Sequence, residues 1–294
     1  MGRRVQTSGV PNSKRLEGYG REQQDSATLS CDGEEVKVLV GIPMYGKAEY
    51  TRKCIEMVLE NAGINCQILV VDDGSPEPFT YEHNRVFIHR LEKNSGYTAA
   101  QNASILWAQE RNYDYVHCLN NDTEPCPNFL KELMDVMEKD STVGIACSIR
   151  QYPSNGKIEL CGADLIRGHQ YFADDKMSME PIEINWAPIC SGLLRMSMVR
   201  EIGMLDKRFR NHCSDSWYCL QAKLRHWKVI LVPKSKVMHH LSVTTTSLNI
   251  NADHDQKLFI ELLACLDMAT LLKEMPLDLE SKTYGKLDFT TYKK

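Results

Sequence analysis

Two short polar runs in this chain carry more oxygen ligands than a simple loop requires. VVDDGS sets Asp72 beside Asp73 ahead of a glycine turn, and LNNDTEP gathers Asn120, Asp122 and Glu124 directly after an apolar segment. Adjacent carboxylates at such a turn can accept hydrogen bonds from a nucleobase N–H or a ribose hydroxyl, or can simply build an Asx-type turn. The second run holds hard oxygen donors. A cation such as Mg2+ or Mn2+ takes one or two protein carboxylates and fills its shell with phosphate oxygens and water, which suits a nucleotide diphosphate. As a cation ligand Asp122 is expected to be an exposed loop carboxylate that contributes little to the core; the alternative is a turn in which it caps the helix beyond Pro125. Neither a G-x-G-x-x-G nor a G-x-x-x-x-G-K-[ST] run is present, so the dinucleotide and P-loop readings lack their main support.

The elements that must position these residues follow from hydrophobic periodicity. VKVLVGI, ended by Pro43, reads as a buried strand, and Ala48 to Asn61 has helical spacing. Further strands are expected at Gln67–Val71, Val86–Ile88, Tyr115–Leu119 and Val143–Cys147, with helices at Tyr97–Glu110 and Asn128–Lys139. Alternating strands and helices imply an α/β fold with a mostly parallel central sheet flanked by helices. In such sheets ligands bind beyond the carboxyl ends of the strands, where PMYG, DDGS and NNDTEP all fall. After Arg150 the turn signals in YPSNGKIEL and CGADLIRG suggest hairpins. A helix is expected from near Ser197, another at Ser216–His226, a strand at Lys228–Val232 ended by Pro233, and a last helix at Asp253–Glu274.

Composition bounds the function. The chain has 294 residues, 43% of them hydrophobic, and a net charge of -4 with no block of Lys and Arg. That is material for a sizeable core and argues against a broad nonspecific grip on nucleic-acid phosphates. The first thirty-five residues are polar and poor in aliphatics, so residues 1–35 are expected to be a flexible tail, 36–275 one folded domain and 276–294 a C-terminal tail. Eleven cysteines without any C-x-x-C read as reduced thiols of a cytoplasmic protein, and no apolar run is long enough to span a bilayer. His212, Cys213 and Cys219 match no zinc spacing.

The ordered series GIPMYG, VVDDGS, NSGYTAAQN, LNNDTEP, CSGLLRMSMVREIGMLDKRF and SDSWYCLQAKLRHWKVILVPKSKVMHH resembles the family 2 glycosyltransferases of GT-A fold, in particular their rhamnosyltransferase-like branch. The match runs from about Val38 to Ser242. The resemblance implies that Pro43 and Tyr45 line the nucleobase pocket, that Asp73 holds base or ribose, and that Asp72 buttresses the loop. Asn94, Gly96 and Asn102 match the family stretch packed beside the nucleotide. Asn120 and Asp122 fall on the two positions of the D-x-D motif, with Asp122 the direct metal ligand. His239 falls where many members place a His near the metal or diphosphate, with His240 a rival one position on. Asp215 matches the general base, although it also precedes an apparent helix and could serve as its N-cap.

Three positions depart from the family pattern: Ser214 stands where a Glu precedes the base, Trp217 where an acid follows, and Gln221 where an Arg is frequent. The implied activity is inverting, metal-dependent transfer of a hexosyl or deoxyhexosyl group from a nucleotide-diphosphate sugar, with Mn2+ or Mg2+ as cofactor. The acceptor implied is the hydroxyl of a saccharide or lipid-linked glycan, with protein and modified nucleic-acid base left open. A nucleotidyltransferase or sugar-nucleotide pyrophosphorylase and a catalytically silent binding domain are the alternative readings.

Overall fold

The structure is a computed structural model, and it describes residues 36–164, 169–172, 179–240, 252–266 and 284–286. Residues 1–35, read above as a tail, and the expected helix beyond 266 lie outside the described residues. Strand β1 (Val38–Met44) is buried along its whole length, as is β2 (Gln67–Asp72) after its first residue. Residues alternate between the two faces of a strand, so a run that is apolar at every position needs cover on both sides.

Helices supply that cover. Val38, Val40 and Ile42 face α1 (Ala48–Asn61) and α3 (Phe129–Lys139), packing with Ile55, Val58, Phe129 and Leu133. Leu39 and its neighbours face the other way, toward Ile105 of α2 (Tyr97–Glu110), Met198 of α4 (Met196–Ile202) and Tyr218 of α5 (Ser214–Leu224). Gly41 lets α2 approach β1, because a Cβ there would lie 2.5 Å from the Ser104 side chain.

The remaining strands are β3 (Val86–Arg90), β4 (Tyr115–Leu119), β5 (Thr123–Pro125), β6 (Val143–Gln151), β7 (Leu160–Asp164), β8 (His169–Phe172), β9 (Ile182–Ile184), β10 (Ser191–Arg195), β11 (Lys228–His239) and β12 (Tyr284–Lys286). The main sheet runs β3-β2-β1-β4-β10-β6-β11-β5, with β9 also on β11. Its first four strands are parallel, β6 and β11 are parallel to each other, and β10 is antiparallel to both β4 and β6, so the sheet is mixed, with helices on its flanks. A smaller sheet pairs β7 with β8 and β8 with β12, the last lying in the segment read as a C-terminal tail. No helix among the described residues is long and apolar enough to cross a membrane.

Two departures matter for the site. Strand β11 does not stop at Val232; it passes Pro233 through a register shift between Val232 and Lys236 and continues to His239. Proline has no N–H to give to a ladder, and a bulge is where a strand tolerates it. Helix α5 starts at Ser214, two residues before the expected start, which puts Asp215 inside its first turn. The last helix among the described residues, α6 (Asp253–Ala264), packs Phe259 against Phe209, Trp217 and Leu220.

Candidate active site

Sheet register brings the polar loops to one rim. Met44 pairs with Asp72 across β1 and β2, and Gly41 pairs with Cys118 next to the end of β4. Pro43 is buried inside β1 one residue before its end, and the half-buried Tyr45 follows just beyond it. The Gly46 amide donates to Ser75 Oγ at 2.9 Å, joining the first loop to the second.

The two adjacent aspartates do different work. Asp72 is fully buried and builds a local turn, accepting the amides of Ser75 at 2.8 Å and Phe79 at 3.2 Å and pairing with Arg90. Burial pushes its carboxyl up, but the hydrogen bonds from Ser75, Phe79 and Arg90 outweigh it and hold the group below the usual range. Asp73 reaches across the rim instead, taking the amides of Ser95 at 2.7 Å and Gly96 at 2.8 Å on its two oxygens. Burial dominates there and leaves its carboxyl raised.

Gly96 has φ of 93°, and a Cβ on it would lie 2.8 Å from the Arg210 carbonyl oxygen. The loop it abuts is tied to the start of α2 from several directions. Thr98 N donates to Arg210 O at 3.0 Å, Tyr97 N to Asn211 Oδ1 at 3.1 Å, and Arg210 Nη2 to Asn94 Oδ1 at 3.0 Å. Asn102 grips Leu205 by both its backbone groups, at 2.8 and 3.0 Å. In the structure Asn94, just before α2, and Asn102, within it, therefore hold the segment from Leu205 to Arg210 in place.

LNNDTEP is the deepest of the three loops. Asp122 is buried, with 6% of its surface exposed, which corrects the reading of it as an exposed carboxylate. It does not cap the following helix either, since Asn128 occupies the N-cap position and the short strand β5 intervenes. Pairing of β11 with β5 matches His239 to Thr123 and sets His239 Nε2 3.4 Å from Asp122 Oδ1. His240 turns the opposite way, to Glu124 Oε1 at 2.7 Å, so of the two histidines only His239 faces Asp122. Asn120 donates its amide to Cys190 O at 2.9 Å, and its buried side-chain Oδ1 has no hydrogen-bond partner among the described residues.

Asp215 is half-buried in the first turn of α5, while Cys213 holds the N-cap position. Its Oδ1 accepts the Ser216 amide at 2.7 Å. Burial raises its carboxyl above the ordinary value, against the pull of the Ser216 and Ile189 amides and the Arg150 charge. The charges of Asp215 and Asp122 both act on one buried thiol. The buried Cys190 thiol, pushed up to about 11 by burial, feels Arg150, Glu159, Asp122 and Asp215 together. The departures from the expected pattern also find a place. Ser214 is buried, and Trp217 packs in an apolar cluster with Phe209, Leu220 and Phe259 of α6.

Residues 39–190, just over half of the chain, match the family model described as glycosyl transferase family 2. The chain belongs to that family. This family 2 glycosyltransferase is 25% identical over 229 residues to an uncharacterised glycosyltransferase of Rickettsia typhi, covering 72% of this chain and 67% of the relative. It is 29% identical over 116 residues to glycosyltransferase GlyG of Streptococcus pneumoniae, covering 37% of this chain and 38% of that one. Its fold is similar to the crystal structure of GalNAc-T7 with UDP, GalNAc and Mn2+. The TM-score is 0.58 at 14% identity, covering 82% of this chain and little more than half, 56%, of that one. That likeness shows the GT-A type fold.

Sequence reasoning missed Arg150, Glu159 and Cys190. Arg150 and Glu159 flank a turn in a region without any motif, and Cys190 reads as one more apolar thiol. Only the fold brings Glu159 against Arg150 and His239.

Proposed function

We propose that this glycosyltransferase moves a hexosyl or deoxyhexosyl group from a nucleotide-diphosphate sugar to an acceptor hydroxyl, with inversion and with a divalent cation. The observation that carries the reading is the buried pair Asp122 and His239, 3.4 Å apart at the strand ends. That pair suits a phosphate-bound cation, and Asp215 a proton acceptor.

The residues present fit a cation of the Mn2+ or Mg2+ kind. Asp122 and His239 would hold it, and the buried Asn120 Oδ1, two residues before Asp122, has no hydrogen-bond partner among the described residues. Among the described residues no group of three or more His, Cys, Asp or Glu could hold a metal alone. Two protein ligands leave the rest of the shell to diphosphate oxygens and water, the usual arrangement for these cations. The cation supplies positive charge against the departing diphosphate.

The chain's own groups do the rest. Pro43, Tyr45 and Asp73 would line the nucleoside end, with Asp72 holding the Asp73 loop in shape. Asp215 takes the acceptor proton as the acceptor oxygen attacks the anomeric carbon from the face opposite the diphosphate, and its raised carboxyl makes it the better base. Saccharide or lipid-linked glycan is the acceptor class that family membership favours. The described thiols, all unpaired, suit a reducing compartment.

The test is incubation with Mn2+ and a panel of nucleotide sugars, watching for nucleotide diphosphate release and reading the anomeric configuration of any product. Release with inversion supports the proposal. Retention would overturn the single displacement, and nucleotide-sugar binding without turnover on any acceptor would mark a silent binding domain.

A further inference from the structure

His239 alone does not define a ligand, because an imidazole presents either ring nitrogen depending on which one carries the proton. What lies behind the ring decides the matter. The turn after β6 brings the chain back antiparallel, with Gln151 bridged to Ile158 and the Glu159 amide donating to Arg150 O at 2.9 Å. That return delivers two opposite charges into the same buried space. Glu159 Oε1 lies 3.2 Å from Arg150 Nη1, and Glu159 Oε2 lies 3.2 Å from His239 Nδ1. The three side chains are 11%, 9% and 5% exposed in the order Arg150, Glu159, His239.

We propose that Glu159 is a positioning residue that orients His239 toward the cation site, and that Arg150 in turn fixes Glu159. The proposal rests on the metal-dependent reading above. A carboxylate accepting from Nδ1 keeps the proton on that nitrogen and leaves the Nε2 lone pair aimed at Asp122 Oδ1, 3.4 Å away. With the proton held on Nδ1, the 3.4 Å between Nε2 and Asp122 Oδ1 is a gap that a bound cation, or in its absence a second ring proton, would bridge. A carboxylate behind a ligating histidine is a recurrent way of fixing ring orientation and basicity, and its loss typically costs about 10–100-fold in metal affinity. Burial strengthens the arrangement here, since water cannot readily substitute for Glu159. Arg150 offsets the charge that Glu159 brings into the interior.

Mn2+ affinity, read by electron paramagnetic resonance for Mn2+ alone and for Mn2+ with UDP, tests this without activity. Glu159→Ala is expected to weaken Mn2+ binding about tenfold or more. Glu159→Gln, whose amide oxygen still accepts from Nδ1, is expected to restore most of that loss. Joined to His239→Ala, the Glu159→Ala change should cost nothing further, because the two act through one ligand. Should Glu159→Ala not fold, the Gln variant alone decides: a loss as large as that of His239→Ala would overturn orientation by hydrogen bonding. Unchanged affinity in Glu159→Ala beside a clear loss in His239→Ala overturns the role of Glu159 and leaves the metal reading standing. Unchanged affinity in both His239→Ala and Asp122→Asn overturns the metal reading itself, and the proposal with it.

Discussion

Asp255 Oδ2 accepts the backbone amide of Asn211 at 2.8 Å, fastening the C-terminal helix α6 to the loop that abuts Gly96. The same carboxylate takes the amides of Arg210 at 3.1 Å and His212 at 2.8 Å. Burial would raise its carboxyl, but the hydrogen bonds from these amides and from His254 hold it low. Removing an acceptor that satisfies three amides should cost about 1–3 kcal/mol of stability. For Asp255→Ala we expect that loss in denaturant unfolding, together with weaker donor binding as the loop releases the start of α2. Asp255→Asn keeps one acceptor oxygen and should fall between. Unchanged donor affinity in the Ala variant would separate α6 from the site.

Asp215→Asn distinguishes a proton acceptor from a structural carboxylate. The side chains are nearly isosteric and both accept from the Ser216 amide. Donor affinity should therefore stay near normal while turnover falls about a hundredfold or more. Near-normal turnover with the true acceptor would remove Asp215 from the mechanism.

The pH profile of the native enzyme gives a second check on the same residue. A base must be deprotonated, and burial raises the Asp215 carboxyl, so kcat/KM should fall on the acid side with an apparent pKa above that of an ordinary carboxylate. That limb should vanish from the residual activity of Asp215→Asn. An acid limb that persists there belongs to another group.

Asp122→Asn is preferable to Asp122→Ala because the side chain is buried and truncation would leave a hole beside His239. Calorimetric titration with Mn2+ and a nucleotide diphosphate should show metal-dependent binding lost, with the melting temperature little changed. Unchanged affinity would remove Asp122 from the cation site.

His117 should make the fold acid-sensitive for reasons unrelated to catalysis. It is fully buried, Nε2 3.3 Å from Ser191 Oγ, and burial lowers its pKa to about 3. A depressed histidine contributes stability that is complete above its unfolded value near 6.5 and is lost as pH falls from there toward 3. Between pH 7.5 and 5.5 the loss from this group should be about 1 kcal/mol. In His117→Gln the same pH step should cost correspondingly less, as read by denaturant unfolding at both pH values.

By itself, the sequence determined the elements and the rim of the site. Helix 97–110 and strand 115–119 are legible to the residue, because apolar periodicity and the turn residues that bound it are local properties. The placing of DDGS and NNDTEP at strand ends follows from the same patterns. What the sequence left open depends on register between distant segments. Pro233 reads locally as a stop, yet pairing with β6 and β5 carries β11 past it through a bulge, and that extension turns His239 rather than His240 toward Asp122. Likewise nothing near Glu159 announces a partner eighty residues on, nor does Asp255 announce the loop it holds. Tertiary structure decided these pairings, because a buried charge has to find a partner wherever the packing of the sheet brings one within reach.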